Sequence, residues 1–165
     1  MPDGAIVVLI GAPGAGKSRT GRRIARLLGA PVIDTDKVIV AEHGPIPGIF
    51  AEHGEPHFRE LERAAVERAL REPAVVTLGG GAVLDPATQA DLAGLPVVQL
   101  TMSEEAARGR IGGSKRPLTR DPEAWARLVA ARQPIYDRLA GLTIDTSEQP
   151  LDDVAKQIVQ WLETR

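Results

Sequence analysis

Short apolar runs alternate with longer amphipathic stretches along this chain from one end to the other. Five runs are brief and rich in β-branched residues, which predicts strands: Ala5 to Ile10, Pro31 to Asp34, Ala74 to Leu78, Pro96 to Thr101 and Leu142 to Thr146. Between them, KSRTGRRIARLLG places Ile24, Leu27 and Leu28 at helical spacing with Gly29 as a stop. EPHFRELERAAVERALRE repeats Phe58, Leu61, Ala65 and Ala69 in the same way. DPATQADLAG, SEEAARGRIGG, DPEAWARLVAARQPIYDRLAG and PLDDVAKQIVQWLETR extend the pattern, with Asp or Ser before several first turns. Strands alternating with helices imply a parallel sheet covered on both faces, a three-layer α/β/α arrangement.

Two segments depart from the alternation. Residues 35–57 carry three prolines and three glycines, which predicts short helical pieces joined by turns at an edge of the sheet. GGSKRPLTRDP, residues 112–122, mixes paired glycines with basic residues and prolines. It reads as a surface loop able to close over a ligand, a lid. No repeat or linker divides the 165 residues, so the expectation is one domain.

Composition narrows the partners. A formal net charge of -2 argues against a broad contact with nucleic acid or an anionic membrane surface. The absence of cysteine rules out disulfides and thiolate metal sites, which fits the cytoplasm. The first residues lack the features of a secretory signal, and no apolar run approaches the roughly 18 residues of a membrane span. The composition favours a monomer.

The candidate chemistry begins at Gly11-Ala12-Pro13-Gly14-Ala15-Gly16-Lys17-Ser18, a complete G-x-x-x-x-G-K-[ST] phosphate loop placed after a strand and before a helix. Its backbone N–H groups surround phosphate oxygens, aided by the N-terminus of the following helix. Lys17 reaches the β- and γ-phosphates and the Ser18 hydroxyl ligates Mg²⁺, which makes ATP the expected co-substrate. The loop alone does not separate GTPases, motors and small-molecule kinases. No Asn-Lys-x-Asp is present to read guanine, since the chain has no Asn. Asp91-Leu-Ala-Gly94 spells a switch motif but falls at a helix, where a switch does not belong. The acidic strand end is PVIDTD, and that placement points to a small kinase.

Five separated signatures occur in order: GAPGAGKS; Asp34-Thr35-Asp36; GExxFRxxE at 54–62; GGGAV at 79–83; and RPL at 116–118 followed by RQPIY at 132–136. Together they resemble the shikimate kinases, small P-loop enzymes that phosphorylate the 3-hydroxyl of shikimate in the biosynthesis of aromatic amino acids. The resemblance implies that Asp34 orients Mg²⁺ through water while Asp36 binds the shikimate hydroxyls and serves as base. The alternative, that both are merely helix N-caps, would be favoured for two carboxylates alone and is outweighed by the complete phosphate loop beside them. It also implies a carboxylate clamp of Arg59 and Arg132, since a guanidinium fork matches a carboxylate bidentately. Glu62 would hold the Arg59 fork, and Phe58 and Phe50 are candidates for an apolar wall within a substrate-binding segment of residues 35–62, with core packing the alternative for both and the favoured one for Phe50.

Gly79, Gly80 and Gly81 exceed what a turn requires, and their bare backbone lets a substrate approach. The resemblance places Arg116 of the lid over the phosphates as a catalytic residue. It places Arg19 in the phosphate-loop site, and Arg110 and Pro150 at the adenine. His53 and His57 are four apart, but Gly54 and Pro56 intervene and no third ligand follows, so no metal is expected there. Two rivals stay open on these residues: a kinase for another polyol acid such as gluconate, and a non-catalytic nucleotide-binding module.

Overall fold

A computed structural model describes residues 4–111 and 121–165, with Arg110 and Ile111 described in their backbone alone. The element order is β1 (Val7–Gly11), α1 (Lys17–Leu28), β2 (Val32–Asp34), α2 (Thr35–His43), α3 (Ile46–Leu70), β3 (Val75–Thr77), a 3-10 turn (Ala82–Leu84), α4 (Pro86–Leu92), β4 (Val97–Thr101), α5 (Glu104–Ile111), α6 (Pro122–Leu139), β5 (Leu142–Asp145) and α7 (Leu151–Glu163). All five expected strands form one sheet in the order β2-β3-β1-β4-β5, and every pairing is parallel. Among the described residues no helix is long and apolar enough to cross a membrane.

Alternation along β1 divides the core. Val7 and Leu9 face one cluster with Ile24 and Ala25 of α1 and Val154, Ala155 and Ile158 of α7. Val8 and Ile10 face the other, with Val66, Ala69 and Leu70 of α3, Leu92 of α4 and Tyr136 of α6. Because both faces are covered, β1 is buried throughout and reads as an unbroken apolar run. This is the expected three-layer arrangement.

The helix faces depart from the sequence pattern in one place. In α1 the residues turned inward are Lys17, Thr20, Gly21, Ile24 and Ala25, while Leu27 is 52% exposed and Leu28 37%. The small residues let the helix close on the sheet: a methyl at Gly21 would lie 2.6 Å from Thr77 Cγ2. Leu27 and Leu28 lie beyond that contact.

The segment expected as short pieces is more helical than its prolines and glycines suggested. Thr35–His43 is one helix, capped by the Asp34 carboxylate accepting from the Lys37 N–H at 3.3 Å. The break falls at Gly54, whose φ of 83° lies outside the helical range and divides α3 into two pieces. A separate small cluster of Ile39, Ile49, Phe58 and Ala65 holds α2 against α3. Of the expected lid, residues 112–120 lie outside the described residues; Asp121 and Pro122 open α6, with Asp121 accepting from the Glu123 N–H at 3.0 Å.

Candidate active site

The phosphate loop leaves the end of β1 and enters α1 through Gly16, whose φ of 94° is a left-handed conformation natural to glycine. Four of the loop's carbonyls accept side-chain hydrogen bonds. Lys17 Nζ donates to Gly11 O at 2.7 Å and to Ala12 O at 3.0 Å. Trp125 Nε1 donates to Pro13 O at 2.8 Å, and Thr146 Oγ1 donates to Ala15 O at 2.8 Å. Because a peptide's N–H and C=O point oppositely, carbonyls held at the loop's flanks favour N–H groups turned toward its hollow, as phosphate binding requires. Neither Trp125 nor Thr146 is marked by any local motif, and each acts across more than 100 residues of sequence.

Ser18 and Asp34 meet beside the loop: Ser18 Oγ donates to Asp34 Oδ2 at 2.5 Å. Asp34 therefore caps α2 with one oxygen and engages Ser18 with the other, so the capping and functional readings of this carboxylate hold together. A hydroxyl and a carboxylate are hard oxygen donors and fit Mg²⁺. Among the described residues no group of three His, Cys, Asp or Glu could hold a metal, so such an ion would take its other ligands from phosphates and water.

The triple glycine after β3 organises the remaining residues, one to each α-carbon. A methyl at Gly79 would lie 2.7 Å from Asp36 Oδ1 and 3.1 Å from Glu62 Oε2. At Gly80 it would meet Pro13 Cγ at 3.1 Å and Arg132 Nη1 at 3.2 Å. At Gly81 it would meet Arg59 Nη1 at 2.5 Å and Nη2 at 2.6 Å. With consecutive α-carbons about 3.8 Å apart, Asp36, Arg132 and Arg59 line one short stretch of backbone that also touches the phosphate loop. The bare backbone makes room for these side chains, a role the spacing of the glycines did not reveal.

Arg59 is held by two carboxylates of its own helix. Nη1 donates to Glu62 Oε1 at 2.7 Å and Nη2 to Glu55 Oε1 at 3.3 Å, and the guanidinium carbon stands 5.4 Å from the Phe58 ring centre. Glu62 is buried, and desolvation pushes its carboxyl up to about 7 even though the Arg59 and Arg132 charges oppose the rise; the Asp36 charge adds to it. Arg132 is 6% exposed. Beside it Tyr136 Oη donates to Gly80 O at 2.6 Å, and burial raises the Tyr136 phenol above its ordinary range.

Of the two phenylalanines, Phe58 is the one packed in the core, although the sequence favours core packing for Phe50. Phe58 is 4% exposed within the small cluster that joins α2 and α3, whereas Phe50 is half-buried against it, with ring centres 4.9 Å apart. The cause is helical phase, since Phe58 shares a buried face with Glu62, Ala65, Val66 and Ala69.

Arg19 is exposed on α1, its carbonyl accepting from Arg23 Nη1 at 3.1 Å. Pro150 caps α7, and the next residue, Leu151, would lie 3.3 Å from a methyl at Gly16, so this segment borders the phosphate loop. Arg116 and the side chain of Arg110 lie outside the described residues. Asp91 sits on α4 and pairs with Arg63 at 2.6 Å, consistent with a structural role. His53 and His57 lie near the α3 break as a tilted pair, with ring centres 4.7 Å apart and the ring planes at 47°.

Known proteins resemble this chain in sequence and in fold. A profile of the family described as Shikimate kinase matches residues 13–163. The shikimate kinase of Thermobifida fusca (strain YX) is 44% identical over 167 residues, spanning 98% of this chain and 97% of the relative. That of Mycobacterium leprae (strain TN) is 43% identical, spanning 96% of this chain and 82% of the relative. Among solved structures, the shikimate kinase of Acinetobacter baumannii in complex with shikimate superposes with a TM-score of 0.91 at 32% identity, covering 98% of this chain and 93% of that one. With an ordered phosphate loop, a glycine run lined by an acid and two arginines, and full-length likeness in sequence and fold, this chain belongs to the shikimate kinase family.

Proposed function

We propose that this chain transfers the γ-phosphoryl group of ATP to the 3-hydroxyl of shikimate, with Arg59 and Arg132 holding the carboxylate and Asp36 holding the hydroxyl. The observation that carries the reading is the placing of Asp36, Arg132 and Arg59 against three successive glycines, with Pro13 of the phosphate loop at the middle one. An acid gripped by two guanidinium groups is fixed at its charged end, and its alcohol then reaches a carboxylate next to the nucleotide site.

In the reaction the hydroxyl oxygen attacks the γ-phosphorus and the bond from that phosphorus to the bridging oxygen breaks, so ADP leaves. The hydroxyl proton passes to Asp36 and from there to solvent. Because the transition state of phosphoryl transfer is loose, Asp36 contributes by aiming the oxygen as well as by accepting its proton. Lys17, which rests on loop carbonyls, turns to the phosphate oxygens and balances their charge. Ser18 and Asp34 would hold Mg²⁺, which supplies charge neutralisation on the phosphates when bound. Arg116, Arg110, Pro150 and Arg19 keep the nucleotide-side roles that family membership suggests. The 112–122 segment keeps its role as a lid, and a monomer working in the cytoplasm completes the reading.

A panel of polyol acids assayed for ADP release tests the proposal. Shikimate should support turnover far above gluconate and quinate. Turnover with gluconate alone, or with none of the acids despite ATP binding, contradicts it.

A further inference from the structure

The three buried side chains of α6 are Trp125, Arg132 and Tyr136, and each meets one of the two loops that build the site. Spacings of seven and four put them on one helix face. Trp125 Nε1 donates to Pro13 O at 2.8 Å, and Tyr136 Oη donates to Gly80 O at 2.6 Å. Arg132 Nη1 and the Pro13 ring converge on the bare face of Gly80, at 3.2 Å and 3.1 Å from the point a methyl would occupy. Pro13 has no N–H, so its carbonyl is its one backbone hydrogen-bonding group, and a buried indole takes it. The phosphate loop is thereby gripped at Pro13 from two sides, by the indole at its carbonyl and by the Gly80–Arg132 contact at its ring.

We propose that Trp125 is a positioning residue that ties the phosphate loop to the helix carrying Arg132, so that filling the acid site tightens the nucleotide site and the reverse. A helix is stiff along its axis, and Trp125 and Arg132 stand about 10 Å apart along it. When Arg132 takes a carboxylate it is drawn toward the ligand, and α6 and the Pro13 contact are held in the arrangement that suits both sites. Thermodynamic linkage makes the effect reciprocal. This inference rests on the reading of Arg132 as part of the acid clamp.

The test is calorimetric titration of the full chain with Mg²⁺-ADP, with and without saturating shikimate, and with shikimate at and without saturating Mg²⁺-ADP. In the unaltered protein each ligand should lower the Kd of the other by one common factor, about fivefold or more. Trp125→Phe keeps the ring and removes the N–H. It should weaken Mg²⁺-ADP binding alone, leave the Kd of shikimate alone within about threefold, and reduce the common factor to less than half. A residue that served packing alone would lower the melting temperature or weaken both ligands while preserving the factor. If Trp125→Phe loses its cooperative melting transition, Tyr136→Phe decides, since it cuts the link from α6 to Gly80 and should reduce the factor likewise. An unchanged factor in whichever variant melts cooperatively, or no mutual tightening in the unaltered protein, overturns the proposal while shikimate binding stands. Failure of the unaltered protein to bind shikimate at all overturns the substrate reading and this inference with it.

Discussion

The Arg59 guanidinium lies across the bare face of Gly81, so close that a methyl there would come within 2.5 Å of Nη1. The clashing atoms are the far end of a flexible side chain, and the fold can yield by moving it. Gly81→Ala should therefore leave stability within about 1 kcal/mol of the original while displacing one arm of the clamp. Loss of a charge-assisted contact, about 1.5–3 kcal/mol, predicts a rise of roughly 10- to 100-fold in KM for shikimate with KM for ATP unchanged. Steady-state kinetics with each substrate varied in turn checks this. Equal effects on both would place Arg59 outside the acid site.

Asp36→Asn removes the proton acceptor and leaves the shape, so kcat should fall by about 100-fold or more. Arg132→Ala should lower kcat/KM for shikimate severely. Neither residue is expected to touch the nucleotide, and ADP affinity measured by calorimetry should stay within a few-fold. Retention of full activity by either variant would falsify its assigned role.

Glu62 gives a pH signature. Its folded carboxyl sits at about 7 against an ordinary 4.5, because burial outweighs the pull of Arg59. The folded state thus binds the proton more tightly than the unfolded chain. Its contribution to stability is full below pH 4.5 and is lost as pH rises through about 7. A shift of this size corresponds to at most about 3 kcal/mol. Glu62→Gln abolishes the titration, so urea unfolding from pH 4.5 to 8 should show the original protein losing stability relative to the variant and the difference levelling off above pH 7. Parallel profiles would remove the burial argument.

The single O–H of Thr146 is shared between two carbonyls, Ala15 O at 2.8 Å and Thr101 O at 3.2 Å, and the residue is fully buried. Thr146→Val preserves volume and leaves both acceptors without this donor. Unfolding free energy should drop by about 1–3 kcal/mol, with weaker ATP binding as the loop loosens. A variant as stable as the original, with ATP affinity intact, would show that the loop is held elsewhere.

Much of this was legible in the sequence because it depends on local chemistry. β-Branched runs marked all five strands, and the complete phosphate loop with its flanking strand and helix marked the nucleotide site. Gly54 was readable as a break because its neighbours include Pro56 and its own backbone can leave the helical range. Other features depend on which side the sheet lies, and periodicity does not encode that. Ile24, Leu27 and Leu28 share a helical spacing, yet only Ile24 meets the sheet. Phe58 is more deeply buried than Phe50 for the same reason. Trp125 and Thr146 were invisible as site residues because their partners are carbonyls 112 and 131 residues away, and Tyr136 stood in a quoted signature whose contact with Gly80, 56 residues away, the signature does not reveal.

The central claim is spatial, and a crystal structure with ADP, Mg²⁺ and shikimate tests it most directly. The account predicts the shikimate carboxylate paired with both Arg59 and Arg132, and its 3-hydroxyl within hydrogen-bonding reach of Asp36 on the side facing the phosphate loop. A carboxylate bound away from either arginine, or a 3-hydroxyl turned from Asp36, contradicts it.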